Sequence, residues 1–152
     1  MDQQNFRAAF LRTIDNKENP YHPLMWILGD PEIGPGTRIG GFSEVNAKGA
    51  RVVIGADCDI ASFVAINVAD SHKKAIGIAE EIDRRDIVIG DNVFIGSHSA
   101  VLGGVTIGHH SVIAAGTILR ACEVPPYSLV AGNPAVVKPG YYREEYERRH
   151  RL

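Results

Sequence analysis

Residues 87–119, IVIGDNVFIGSHSAVLGGVTIGHHSVIAAGTIL, repeat one short pattern in which an aliphatic residue recurs every six positions. The aliphatic positions of this run are Ile89, Ile95, Val101, Ile107, Ile113 and Leu119. The same spacing appears upstream at Ile33 and Ile39, and at Ile54, Ile60 and Ile66. A short repeat that cannot bury its own apolar edge must stack on its neighbours. The period therefore predicts a solenoid with an aliphatic ladder as its core.

A six-residue repeat fits a short strand followed by a corner, because a helix has a period of 3.6 residues and a long strand has a period of two. Strand residues alternate faces, so the aliphatic residue and the residue four positions later both point inward across the corner. These later positions are Cys58, Val64, Val93, Ser99, Val105, Ser111 and Thr117. The glycine that often follows the aliphatic residue suits a corner with positive φ, as do polar residues such as Asp91-Asn92 and His109-His110. Three sides close a triangular coil, and the coils stack as parallel strands.

Composition is that of one soluble domain, with 152 residues, 45% hydrophobic residues and a formal charge of −2. This charge does not favour nucleic acid as a partner. No apolar run approaches the roughly 18 residues of a membrane span, and the N-terminus lacks a signal-peptide pattern. Cys58 and Cys122 have no CxxC spacing, which is typical of buried thiols in a reducing compartment. We expect a cytoplasmic protein.

The pattern divides the chain into three predicted segments. Residues 1–32 are an N-terminal cap, 33–138 the β-helix and 139–152 a C-terminal helix. The cap is expected to contain a short helix in residues 2–16, with Asp2 as its N-cap. The apolar stripe of this helix is predicted to be Phe6, Ala9, Phe10 and Ile14.

The ladder stops at residue 68 and resumes after residue 86, so this segment is predicted to be an extruded loop. Catalytic residues are most expected in this loop, because functional residues concentrate in loops carried by a rigid scaffold. Asp70, Ser71 and His72 stand at its start. A free histidine has a pKa of about 6.5 and exchanges protons near neutral pH. From these residues alone, however, the simpler interpretation of His72 is an ordinary surface residue.

The repeat region resembles the hexapeptide-repeat, left-handed β-helix acyltransferases. The matching residues run through 87–98, 104–108, 114–117 and 124–126 to the Ala-Gly-Asn-Pro-Ala motif at 131–135. The resemblance covers about residues 33–138. It is strongest to the sugar O-acetyltransferases of galactoside or maltose type and of O-antigen or capsule type. It also implies the left-handed coil, since ordinary parallel crossovers are right-handed and the period alone does not set the hand.

In that family, the histidine at the base of the interrupting loop is the general base, and His72 matches its place. The resemblance implies transfer of acetyl from acetyl-CoA to a hydroxyl or amino group of a sugar or sugar-containing acceptor, within a ternary complex. A positioned imidazole typically contributes about 10² to 10⁴-fold to such a step. Asp70 is a candidate to orient the ring, although a backbone carbonyl would serve equally. A backbone N–H near a corner is expected to stabilise the oxyanion.

The family also suggests cofactor contacts. Ser97 and Ala115 match the wall of the CoA groove, Gly104 allows close approach, and Arg120 and Lys138 are the nearest cations for the 3′-phosphate. Two departures from the family pattern weaken the assignment of the phosphate contacts. The segment that begins at Arg120 is one residue longer than the usual Thr-Lys pattern, and Val136 stands where a basic residue is common. No metal is expected.

Acceptor binding and assembly are implied in the same way. Asn46 and, less strongly, Glu44 match the segment that contacts the acceptor. Family members form homotrimers with active sites between subunits, so a homotrimer is expected here. The identity of the sugar, and oxygen or nitrogen as the accepting atom, remain open.

Three alternative functions compete with sugar acetylation. A non-catalytic scaffold solenoid stays open, and an absence of acetyl-CoA binding in a calorimetric titration would favour it. A γ-carbonic-anhydrase-like metalloprotein needs two metal-binding histidines five residues apart, but Ala114 and Ala115 stand at that offset from His109 and His110. Serine or tetrahydrodipicolinate acyl transfer finds no support in the short N-terminal cap.

Overall fold

The computed structural model describes residues 2–151. The helices are α1 (Gln3–Thr13), α2 (His72–Ala75) and α3 (Arg143–Arg149). The strands are β1 (Trp26–Gly29), β2 (Glu32–Ile33), β3 (Arg38–Ile39), β4 (Glu44–Ala47), β5 (Val52–Ile54), β6 (Asp59–Ile60), β7 (Ala65–Asn67), β8 (Ala69–Asp70), β9 (Asp83–Arg84), β10 (Ile87–Ile89), β11 (Phe94–Ile95), β12 (Ala100–Leu102), β13 (Thr106–Ile107), β14 (Val112–Ile113), β15 (Ile118–Leu119), β16 (Glu123–Val124), β17 (Leu129–Gly132) and β18 (Ala135–Lys138).

Three parallel sheets form the sides of a triangular solenoid. Sheet 1 has the order β1-β4-β7-β12-β15, sheet 2 the order β2-β5-β10-β13-β16, and sheet 3 the order β3-β6-β11-β14-β17-β18. All neighbours pair in parallel except β17 and β18, which form a closing antiparallel hairpin. These sheets confirm the predicted parallel β-helix with triangular coils, and they are consistent with the left hand that the resemblance implies.

The aliphatic ladder is the core, as predicted. In sheet 2, Ile54, Ile89 and Ile107 stand in register, and sheet 3 aligns Ile60, Ile95 and Ile113. The residues four positions later in the repeat are also buried, at 2% exposure or less: Cys58, Val64, Val93, Ser99, Val105, Ser111 and Thr117. Each coil therefore buries its apolar edge only by stacking on the next.

Buried hydroxyl groups join successive coils at the corners. Ser43 Oγ donates to the carbonyl of Ala61 at 2.9 Å and accepts from the backbone N–H of Val64 at 3.1 Å. Thr37 Oγ1 makes the same two contacts, to Gly55 and from Cys58. A buried hydroxyl is tolerated when its hydrogen bonds are made. Small polar residues can therefore replace valine at the inner corner positions.

The glycine after the aliphatic residue has a different cause from the one predicted. A Cβ on Gly96 would lie 2.4 Å from the backbone nitrogen of Ala115, and one on Gly108 would lie 2.4 Å from that of Pro126. Close approach of the next coil, rather than positive φ, therefore selects glycine at these positions. Positive φ falls two residues later, at polar corner residues that include the predicted Asn92 (φ 54°) and His110 (φ 57°).

The N-terminal helix forms with its predicted cap but buries a different residue. Asp2 accepts a hydrogen bond from the backbone N–H of Asn5 at 2.8 Å. Leu11 is 1% exposed, whereas Phe6, a member of the predicted stripe, is 61% exposed. The stripe prediction is wrong at Phe6, since Leu11 is the residue that α1 buries. Over residues 2–151, none of the helices is long and apolar enough to span a membrane.

The ladder makes a direct stability prediction. Ile95→Ala removes a side chain that is 0% exposed in the centre of sheet 3, so it should lower the free energy of unfolding by about 2–5 kcal/mol. Urea denaturation measures this change. Ile76→Ala is the matched control, since Ile76 is 67% exposed on the loop, and it should change stability by less than about 0.5 kcal/mol. Equal losses in the two variants would contradict the ladder as the main source of stability.

Candidate active site

A two-stranded ribbon fixes the root of the extruded loop. The loop leaves the solenoid after β7 and returns into β10, and its ends pair as antiparallel β8 and β9. The backbone N–H of Arg85 donates to the carbonyl of Val68 at 3.1 Å, and Arg84 donates from its side chain to the carbonyl of Lys48 at 3.0 Å. Gly103 of the next coil lies directly beneath the carbonyl of Val68. Only glycine fits there, because a Cβ would lie 2.7 Å from the Val68 oxygen. The start of α2 is thereby held against the solenoid.

His72 begins α2 and is held by Asp70. Nδ1 of its ring lies 2.5 Å from Oδ1 of Asp70, and its backbone N–H donates to the same oxygen at 3.2 Å. The hydrogen bond from the His72 side chain, followed by the one from its backbone, holds the pKa of Asp70 below its ordinary value. Both side chains are more than half exposed.

This pairing settles the tautomer of a neutral His72. An ionised carboxylate can only accept hydrogen bonds, and the lowered pKa of Asp70 keeps it ionised at neutral pH. Nδ1 must therefore carry the hydrogen that Asp70 accepts, which leaves the lone pair of Nε2 free to take a proton. Asp70 was only a secondary candidate in the sequence, because adjacency along the chain does not show whether two side chains meet.

Two adjoining cavities surround the loop root. The first, of about 300 Å³, lies between the ribbon and the corners that follow β12 and β15. Its charged lining residues are Asp70, Asp83, Arg85 and Arg120. The second, of about 390 Å³, is bounded by the loop itself and includes His72. Asp70, Asp83 and Arg85 line both cavities. The structure thus places His72 next to a charged recess large enough for a small acceptor.

The predicted cofactor residues divide between two ends of sheet 1. Ser97 and Ala115 lie in the corners that precede β12 and β15, and the carbonyl of Ser97 accepts from the N–H of Gly116 at 2.9 Å. Gly104 and Arg120 lie in the corners that follow these strands. One protomer therefore does not bring all four residues to one place.

The residues near the C-terminal coil are anchored locally. Gly104 has φ of +91°, and a Cβ there would lie 2.9 Å from Cβ of Ala121. Arg120 donates from Nη1 to the side-chain oxygen of Asn133 at 3.2 Å, which ties it to the Ala-Gly-Asn-Pro-Ala motif. Lys138 is exposed at the end of β18, with Nζ 5.7 Å from the centre of the Tyr141 ring. Within residues 2–151, neither Arg120 nor Lys138 forms an ion pair.

The predicted acceptor residues occupy sheet 1. Asn46 pairs in register with Asn67, and Asn67 pairs with Leu102 beside the loop root. Asn67 was not predicted from the sequence, although it occupies the position of Asn46 in the next coil. Its side-chain oxygen accepts from the N–H of Ala69 at 2.9 Å and so orients the start of the ribbon. Glu44 lies at the other end of β4, next to Trp26 and Ala65.

Within residues 2–151 there is no cluster of three or more histidine, cysteine or acidic side chains that could hold a metal ion. His109 and His110 contact each other, with their Nδ1 atoms 2.9 Å apart, but they have no such third partner.

Comparison with known proteins supports the family resemblance. Residues 86–121 match the family described as bacterial transferase hexapeptide (six repeats). A Staphylococcus aureus (strain COL) protein named as an acetyltransferase is 53% identical over 51 residues, which are 34% of this chain and 25% of that protein. The 2,3,4,5-tetrahydropyridine-2,6-dicarboxylate N-succinyltransferase of Xylella fastidiosa (strain 9a5c) is 30% identical over 163 residues, covering 91% of this chain and 54% of that enzyme. The chain thus spans a quarter to about half of the length of these relatives.

Solved structures of other proteins show the same family resemblance. The polySia-specific acetyltransferase NeuO superposes with a TM-score of 0.67 and 30% identity, covering 79% of this chain and 60% of that one. A hexapeptide-repeat acetyltransferase from Vibrio cholerae O1 biovar eltor, solved with acetyl coenzyme A, gives a TM-score of 0.57 and 27% identity over 90% of this chain and 76% of that one. These matches confirm the resemblance to the hexapeptide-repeat acetyltransferases, including those that act on polysialic acid.

The Asp70–His72 contact predicts how Asp70 titrates. His72→Ala removes the strongest cause of the lowered pKa, so the Asp70 pKa should rise toward its ordinary value, in a titration followed by ¹³C NMR of the carboxyl carbon. Lys74→Ala, on the same short helix, should leave the Asp70 titration unchanged. Identical Asp70 titrations in the wild type and in His72→Ala would contradict the pairing.

Proposed function

We propose that this protein is an acetyl-CoA-dependent acyltransferase that acetylates a hydroxyl or amino group of a sugar or sugar-containing acceptor. The observation that carries the proposal is the Asp70–His72 pair, which stands at the root of the one loop that interrupts a hexapeptide-repeat solenoid. The bound acetyl coenzyme A of the Vibrio cholerae structure supports the choice of cofactor. The polysialic acid specificity named for NeuO supports a sugar acceptor.

In the proposed reaction, Nε2 of His72 accepts the proton of the acceptor hydroxyl as its oxygen attacks the thioester carbonyl. The carbon–sulfur bond of the tetrahedral intermediate then breaks, and the imidazolium returns the proton to the departing thiolate of CoA. Asp70 stabilises the imidazolium and keeps Nδ1 protonated throughout. Holding both substrates in one ternary complex contributes about 7–11 kcal/mol in well-oriented cases.

The division of the cofactor residues supports a homotrimer. Ser97 and Ala115 lie at one end of sheet 1, and Arg120 lies at the other. Head-to-tail packing around a threefold axis joins unlike ends of a surface, so it would bring the Ser97 end of one subunit beside the loop root of the next. We therefore place the active site between subunits.

The recess beside His72 suits a polar acceptor. Asp70, Asp83 and Arg85 line both cavities at the loop root, and Asn46 and Asn67 stand in register on sheet 1. Amides and carboxylates are suitable hydrogen-bond partners for sugar hydroxyls. We keep Asn46 as an acceptor contact and Glu44 as a weaker one, and we propose a cytoplasmic location, which the free thiols of Cys58 and Cys122 support.

The central prediction concerns His72. His72→Ala should lower kcat by at least about a hundredfold, because a general base typically contributes about 10² to 10⁴-fold, while the Kd for acetyl-CoA should change less than about twofold. The assay follows acetyl-CoA consumption with the best acceptor from a screen of free sugars, nucleotide-linked aminosugars and small alcohols. Calorimetry measures the Kd.

Lys74→Ala is the matched control for this prediction. Lys74 is exposed two residues further along α2, and its replacement should leave kcat within about twofold of the wild type. Near-normal turnover of His72→Ala would remove His72 from the role of base. Failure of the wild-type protein to bind acetyl-CoA would favour the scaffold alternative.

A separate prediction concerns the residues proposed to bind the 3′-phosphate of CoA. A charge-assisted hydrogen bond contributes about 1.5–3 kcal/mol, and 1.4 kcal/mol is a factor of ten. Acetyl-CoA that lacks its 3′-phosphate should therefore bind the wild type at least about tenfold more weakly than acetyl-CoA. In the Arg120→Ala, Lys138→Ala double variant, the two cofactors should bind almost equally. A full tenfold preference in the double variant would exclude these cations as the phosphate site, and Lys74→Ala again serves as the control.

A further inference from the structure

The C-terminal helix α3 docks on a cluster of rings at one corner of the solenoid. His109 and His110 follow β13, and Tyr127 occupies the same corner in the next coil, where its N–H donates to the carbonyl of His109 at 3.0 Å. α3 contributes Tyr146, and His150 is its C-terminal cap. We call these five residues the ring cluster. It lies at a different corner from the loop root and shares no residue with the proposed active site.

Ring contacts and a backbone hydrogen bond join α3 to this corner: the N–H of Tyr142, the N-cap of α3, donates to the carbonyl of Tyr127 at 2.9 Å. The His110 ring stacks on Tyr127, with centroids 5.1 Å apart, and meets Tyr146 edge-on at 4.6 Å. Tyr146 in turn stacks on His150 at 4.0 Å. α3 has only seven residues and no buried side chain. Since so short a helix is unstable alone, α3 depends on the ring cluster for its structure.

The cluster is built for neutral histidines. Nδ1 of His109 and Nδ1 of His110 are 2.9 Å apart, a hydrogen-bond distance at which one nitrogen must donate and the other accept. The pair therefore needs at least one bare nitrogen. Protonation of both rings would place two N–H groups face to face and would replace an attraction by a repulsion.

The charges around His110 oppose its protonation. Partial burial, then the neighbouring His109 and His150, lower the pKa of His110, and only Asp91 acts in the opposite direction. The Asp91 carboxylate is already engaged, because Oδ1 accepts from the N–H of Ala56 at 2.7 Å. The guanidinium of Arg143 adds a further cation 4.7 Å from the Tyr127 ring. Asp91 is thus the carboxylate that favours protonation of His110, against partial burial, His109 and His150.

We infer that α3 is an acid-released cap, which docks on the end of the solenoid while His109 or His110 keeps an unprotonated Nδ1 and leaves it when both rings are protonated. The direction follows from linkage. The His110 pKa is below 6.5 in the docked state and returns to about 6.5 once the ring is free. Docking is therefore at full strength above pH 6.5, weakens as the pH falls below 6.5, and stops weakening below the docked pKa.

Hydrogen–deuterium exchange of the full chain tests this inference without any acyl-transfer assay. Protection of the α3 amides, corrected for the intrinsic pH dependence of exchange and compared with the strands β13 and β14, should fall more than about twofold from pH 7.5 to pH 5.0. The variant His110→Phe keeps a ring but cannot be protonated. The chain already holds phenylalanine at this backbone conformation, since Phe42 and Phe63 both have φ of 61° and His110 has φ of 57°. In this variant the fall should be less than about twofold.

His98→Asn is the matched control, because His98 is a corner histidine with φ of 62° on another corner. It should keep the full acid response of α3. NMR titration of the wild-type His110 ring gives a second measurement, in which its midpoint should coincide with the loss of α3 protection. A pH-independent α3 in the wild type, an unchanged acid response in His110→Phe, or a His110 midpoint that differs from the α3 midpoint would each overturn the inference.

Discussion

In-register stacking of identical aliphatic positions is the interaction on which the structure depends. Ile54, Ile89 and Ile107 follow one another across sheet 2, and each is almost completely shielded by the coil above and the coil below. No coil can bury this edge alone. Every repeat must therefore keep the same length and register, and any inserted residues must lie at a corner. That constraint explains why the chain extrudes its loop between β7 and β10 without disturbing the ladder.

The same constraint supplies rigidity to a site whose own side chains are exposed. His72 gains little from burial, so its position depends on the β8–β9 ribbon, on Asn67 and on the carboxylate of Asp70. A rigid scaffold that carries a short, hydrogen-bonded loop is a common way to hold a reactive group while leaving it open to substrates. The residues proposed for the cofactor groove lie at two ends of sheet 1, and the proposed homotrimer would bring them together.

Local patterns predicted the β-helix well but assigned two features wrongly. The glycine of each repeat was attributed to positive φ, whereas Gly96 and Gly108 are required by the backbone of the next coil. The helix stripe included Phe6, although Leu11 is the residue that packs. Both errors have one cause: periodicity shows which residues share a face along the chain, but it does not show which surface comes close to that face.

By itself, the sequence determined the solenoid, the inward positions and the place of the loop, since each follows from a repeat that is visible along the chain. His72 became a candidate base only through the family resemblance of that repeat. Tertiary structure alone decided that Asp70 holds Nδ1 of His72, that Arg120 reaches Asn133, and that three histidines meet around Tyr127 and Tyr146. These contacts depend on side-chain directions and on the stacking of residues far apart in the chain. A repeat period fixes only the spacing of such residues along the chain, so it could not reveal them.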